Sequence, residues 1–167
     1  MDVTYINAFV CSVKQVFETM VNTDVEVGKP YVKQETTAVA DVSGIIGFSG
    51  EAAGRVVLSF PIDVACSIAS SFAGIDIDQD HPDFTDAVGE LANMVAGSAK
   101  REFHGCDISI SLPSVIIGKE HVVSNSKTFP CIIIPCKTNL GPVYVDVGMK
   151  MNKASSVKQV AVAGAQA

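Results

Sequence analysis

Apolar residues recur along the chain with two spacings, and the alternation between them predicts its elements. Ile6, Val10, Val13, Phe17 and Met20 fall three and four apart, the period of one helix face, and predict a helix over 3–22. Residues 24–34 are extended in character, with Val25, Val27 and Tyr31 among polar neighbours, and Pro30 favours a sheet edge. Two β-rich runs, 37–48 and 54–60, are joined by a short linker at 49–53 and predict a hairpin. Pro61 stops the second run and opens a helix over 62–73, closed by Gly74. An acidic loop at 76–83 leads into a long helix over 84–104, with Asp83 or Thr85 able to cap its start and Gly105 its end. Short extended runs follow at 107–112, 115–118 and 121–124, then two strands at 129–137 and 143–151. Residues 152–167 are small and polar and predict a frayed tail or a weak terminal helix.

This order predicts an α+β fold with helices packed on a mainly antiparallel sheet. It places one domain over 1–150 and a weakly ordered tail over 151–167. A helix followed by extended runs and a hairpin occurs twice, over 3–60 and 84–150. The hairpins share a Gly-x-Val entry at Gly54 and Gly141, as a diverged internal duplication would.

Composition narrows the function. Hydrophobic residues make up 48% and charged residues 18%, so the chain can build a core. Acids outnumber bases 18 to 12, for a net charge of −6, which argues against nucleic acid as the main partner because phosphate binding needs a basic face. No secretory signal and no apolar run long enough to span a membrane is visible, so a cytoplasmic protein is expected. Cys11, Cys66, Cys106, Cys131 and Cys136 sit in apolar segments without a CxxC pair, as reduced, buried cysteines do.

Metal chemistry finds no support. His81, His104 and His121 lack ligand spacing to one another or to cysteine. Asp76, Asp78, Asp80 and Asp83 resemble part of a calcium loop, but His81 and Ala87 stand where its glycine and closing glutamate belong. Residues 44–50 lack the Gly-x-x-x-x-Gly-Lys pattern of a phosphate loop, and no serine has a nucleophile elbow.

The informative segment is the helix over 84–104. Phe84, Val88, Leu91, Val95 and Ala99 form its apolar stripe. Asp86, Glu90, Asn93 and Gly97 cluster within roughly 60° almost opposite. Any solvated helix face carries polar residues. Two features point further: asparagine is a poor helix-interior residue, and Gly97 costs about 1 kcal/mol relative to alanine. Together they describe a face kept low so that something large can approach.

Asp86-x-x-x-Glu90-x-x-Asn93 resembles the (D/S)xxxExxN signature of the CheC/CheX/FliY family of chemotaxis phosphatases. Pro113, after the helix, matches a proline of that family, with a slightly shorter separation from the asparagine. The first helix offers Asn7, Cys11 and Lys14 at the equivalent spacing, so only one signature survives, as in the CheX-like branch.

The resemblance implies a phosphatase acting on the phospho-aspartate of a CheY-like response regulator. Asn93 would position the attacking water and Glu90 would pair with the regulator's active-site lysine. Asp86 would stand at the edge of the contact, and Gly97 would leave room for the partner. It implies no cofactor of the chain's own, with Mg²⁺ held by the regulator, and a homodimer formed through sheet edges. The alternative is a non-catalytic scaffold on the same fold, binding a response regulator or a flagellar switch component.

Overall fold

The computed structural model describes residues 3–34, 40–124 and 128–152; the expected tail beyond residue 152 lies outside them. Helix α1 (Val3–Val16) continues into a π-helical turn, Phe17–Val21, and closes on Asn22 in the left-handed region, φ 54°. The predicted helix over 3–22 is therefore present, with a widened last turn that seats Phe17 and Val21 in the core. The extended segment that follows supplies two short strands, β1 (Glu26–Val27) and β2 (Tyr31–Val32), both on β7 (Ile132–Thr138).

Strands β3 (Ala40–Gly50) and β4 (Ala52–Phe60) form the first hairpin, and β7 with β8 (Gly141–Met151) forms the second. Helices α2 (Ile62–Ala73) and α3 (Phe84–Glu102) lie between them in sequence. Strand β5 (Ile108–Ile110) and strand β6 (Ser114–His121) both pair with β3. The run expected at 115–118 continues as one strand through His121, paired with β3 across a bulge, whereas 122–124 of the run expected at 121–124 are not strand.

The sheet order is β1-β7-β8-β4-β3-β5, and every pairing is antiparallel. The α+β architecture predicted for the chain is the observed one. The hairpins meet at the central β4–β8 pair. Setting Gly54 equivalent to Gly141 makes Leu58 equivalent to Val145, and those two residues face each other across that pair. A local twofold through this point exchanges the hairpins, as a duplicated unit requires. Both entry positions exclude a side chain: a Cβ on Gly54 would collide with the Gly148 carbonyl, and one on Gly141 with Val64.

The helices cover one face of the sheet. Phe9, Val13, Ile46, Leu58, Phe60, Ile68, Leu91, Val95 and Val145 are buried between them. Phe9 packs edge-on against Phe48 and tilts against Phe103, with ring centroids 5.7 and 6.1 Å apart. Burying this apolar area supplies the main driving force for folding.

The opposite face is also closed over. Ile133, Val57 and Cys131 are buried there, as is Lys33. Its ammonium donates to the Val123 carbonyl at 2.7 Å and to Asp146 at 2.5 Å. His121 Nδ1 donates to the Gly118 carbonyl at 2.9 Å, which leaves Nε2 to accept from Ser43 at 2.7 Å. None of this polar anchoring was predicted.

Two expectations are corrected. Asp83 stands at the N-cap of α3 without a side-chain capping bond. Its backbone there, φ −90° and ψ 0°, is not the extended conformation that turns a cap side chain onto the first turn. The cysteines are not uniformly buried: Cys131 and Cys136 are, Cys66 and Cys106 are half-buried, and Cys11 is exposed on α1. No helix among the described residues is long and apolar enough to cross a membrane.

Candidate functional site

Helix α3 is seated by its apolar stripe: Phe84, Val88, Leu91, Val95 and Ala99 are all at most 3% exposed. It lies unusually close to β3. A Cβ on Gly44 would stand 2.9 Å from the Ala92 Cβ and 3.2 Å from the Val88 carbonyl, so this glycine sets the approach of helix to sheet. The opposite face of the helix then points outward. Asp86 and Glu90 are exposed, while Asn93 and Gly97 are half-buried.

Successive rises of 1.5 Å spread the four positions over about 16 Å of helix, with Glu90 and Asn93 one turn apart. Among the described residues, no hydrogen bond or ion pair engages the side chains of Asp86, Glu90 or Asn93. Two carboxylates and an amide are therefore left unpaired on one face. A carboxylate so placed accepts from a cation brought by a partner, and a carboxamide both donates and accepts, so it can hold one water in one orientation.

Shallow grooves flank this ridge. One, about 490 Å³, is lined by Thr85, Asp86, Gly89, Glu90, Pro113 and Val115. The other, about 290 Å³, takes Asn93 and Gly97 on the α3 side and Gln15 and Thr19 on the α1 side. The four expected site residues thus share the ridge but open onto two different grooves.

Gly89 and Pro113 act together here. A Cβ on Gly89 would meet the Pro113 ring at 3.3–3.4 Å, so the bare helix position lets the proline sit against α3 beside Glu90. The proline's segment is pinned to β3, where Ser111 accepts from the Gly47 amide at 2.9 Å and its own amide donates to the Gly47 carbonyl at 2.9 Å. Sequence reasoning passed over Gly89, although a glycine beside Glu90 in mid-helix was a signal for close packing. Gly97 differs: its Cβ would meet nothing within 4 Å. Gln15 was also missed, since only the folded chain brings α1 alongside α3.

The histidines and acids of the rejected metal readings lie apart. His104 is exposed, His121 is tied to Ser43, and Asp78 accepts from the Asp80 amide within its own loop. Among the described residues, no three His, Cys, Asp or Glu side chains converge as a metal site would need.

The same fold is found in a CheC-like superfamily protein from Shewanella sp. PV-4, 32% identical, with a TM-score of 0.82 over 90% of this chain and 99% of that one. It recurs in the CheX of Borrelia burgdorferi, solved with CheY, BeF₃ and Mg²⁺; there the TM-score is 0.74 at 24% identity, over 87% of this chain and 97% of that one. Fold and helix-borne signature together define a protein of the CheC-like class. In sequence, the CheY-P phosphatase CheX of Thermotoga maritima is 28% identical over 123 residues, 72% of this chain and 79% of its own. The family model for chemotaxis phosphatase CheX matches residues 42–137, more than half of the chain, and the chain belongs to that family of phosphatases.

Proposed function

We propose that this chain accelerates hydrolysis of the phospho-aspartate of a CheY-like response regulator. The observation that carries this reading is the exposed face of α3, where Glu90 and Asn93 stand one turn apart without partners of their own among the described residues. Family membership and the activity named for the Thermotoga relative support the substrate class.

An acyl phosphate is already reactive, so positioning is the main thing a phosphatase can add. Asn93 holds the attacking water in line with phosphorus. Glu90 pairs with the regulator's active-site lysine and fixes the docked pose. Asp86 stands at the edge of the contact, and Gly97 leaves the surface low enough for a partner loop. The chain brings no cofactor; Mg²⁺ comes with the regulator, whose phosphoryl oxygens and carboxylates suit it. Such a regulator places the chain in the cytoplasm.

We also read β6 as an edge that meets a second copy of the chain. Among the described residues it pairs only with β3, and Ile116 and Ile117 are 39% and 47% exposed along it. Sedimentation as a monomer at micromolar concentration would remove the dimer without touching the catalytic reading.

The experiment is to phosphorylate a CheY-like regulator and follow its decay with and without the protein. Acceleration that falls away in Glu90→Ala, with weaker binding, is expected. Binding without acceleration by the wild type would make the chain a scaffold instead.

A further inference from the structure

The two grooves beside the α3 ridge carry opposite charge. Among the described residues, the groove on the Pro113 side is bordered by two acids, Asp86 and Glu90, and by no base. Among the described residues, the groove on the α1 side has Arg101 as its only charged wall. Arg101 is exposed, two turns beyond Asn93 or about 12 Å along the helix, and makes no ion pair among the described residues.

Across the same groove stands Gln15. The Ser98 hydroxyl donates to its Oε1 at 3.3 Å, which turns the carbonyl end toward α3 and leaves the amide hydrogens as donors. Gly97 makes the floor. Its helical backbone needs no glycine, and a Cβ there would touch nothing within 4 Å, so neither conformation nor internal packing accounts for it. A guanidinium and an amide that both donate, over a floor left open, fit a carboxylate.

We propose that this α1–α3 groove is a second docking subsite for the same regulator, receiving an acidic segment that lies about 12 Å from the phosphoryl group. This rests on the phosphatase reading and deepens it. The acidic half of the ridge takes the regulator's lysine and the basic half takes its carboxylate. The opposed charges allow one direction of docking and disfavour the reverse. Gln15 and Arg101 set orientation and affinity, and Asn93 alone meets the water.

The test is steady-state dephosphorylation of a phosphorylated CheY-like regulator, with binding to its BeF₃-activated form measured in parallel. The variants are Arg101→Glu and Gln15→Glu. The second keeps the side chain's shape and still accepts from Ser98, while it replaces the amide donors with a negative charge. Each is expected to raise KM and Kd about tenfold at low salt with kcat within twofold, and the difference should shrink in 0.5 M NaCl. KM and Kd unchanged in both variants, or a fall in kcat at constant KM, would overturn the subsite. If the wild type accelerates decay and the variants match it, the subsite is wrong and the phosphatase reading stands. If the wild type neither binds nor accelerates, the phosphatase reading fails and the subsite with it.

Discussion

Gly97→Ala separates the demands of the fold from those of function. Glycine inside a helix costs about 1 kcal/mol relative to alanine, chiefly because its unfolded chain has more freedom to lose. The added methyl meets no atom within 4 Å, so no clash offsets that gain. The variant should therefore be about 1 kcal/mol more stable, a rise in Tm of about 2–4 °C for a chain of this length. Gly44→Ala is the internal control. Its methyl would lie 2.9 Å from the Ala92 Cβ and 3.2 Å from the Val88 carbonyl, and α3 has to move outward to admit it. Overpacking of this kind costs about 1–3 kcal/mol, so Tm should fall. Paired thermal melts of both variants, with regulator dephosphorylation measured on Gly97→Ala, make the assay. More stability together with a raised KM is expected. A lower Tm would show that the site is not open, and an unchanged KM would show that the opening serves no partner.

Lys33→Met should cost about 3 kcal/mol in urea unfolding, the low end for a broken buried pair, because Asp146 loses its close ammonium partner and, among the described residues, keeps only Arg55, at 3.8 Å. Adding Asp146→Asn should recover part of that loss, since the amide needs no cation. Burial pushes the Cys136 thiol from 9.0 up to about 11. The folded protein keeps that proton where the unfolded chain releases it, so this contribution to stability is lost as pH rises from 9 toward 11. Urea titrations across that range should show a steeper fall in the wild type than in Cys136→Ala. At pH 8, an alkylating reagent should modify the exposed Cys11 well before Cys131 and Cys136.

The periodic parts of the molecule were legible in advance. Helix α3 and its two faces followed from residue spacing, because a helix seated on a sheet must bury a stripe 3.6 residues in period. The hairpins followed from β-rich runs flanking turn residues, and the Gly54 and Gly141 entries anticipated the local twofold. Long-range partners were not legible. Lys33 lies beside Val32 in a polar stretch and reads as a surface cation; only the folded sheet brings it to Asp146. Cys11 sits in an apolar helix and reads as buried, yet the helix turns it outward. The α1 wall of the groove was equally hidden, since Gln15 and Gly97 meet only through tertiary packing. Gly89 is the exception: its mid-helix position beside Glu90 was visible, but its use needed Pro113 brought back against the helix.

The most direct test is the decay rate of a phosphorylated CheY-like regulator at saturating Asn93→Ala. The side chain is half-buried, makes no bond to the rest of the described protein, and contributes nothing to the core, so the variant should fold as the wild type does. Losing the positioned water should remove about 10²-fold or more of the acceleration, returning decay to the regulator's own rate, while Kd for the BeF₃-activated regulator stays within threefold. Full acceleration by Asn93→Ala under saturation would contradict the account.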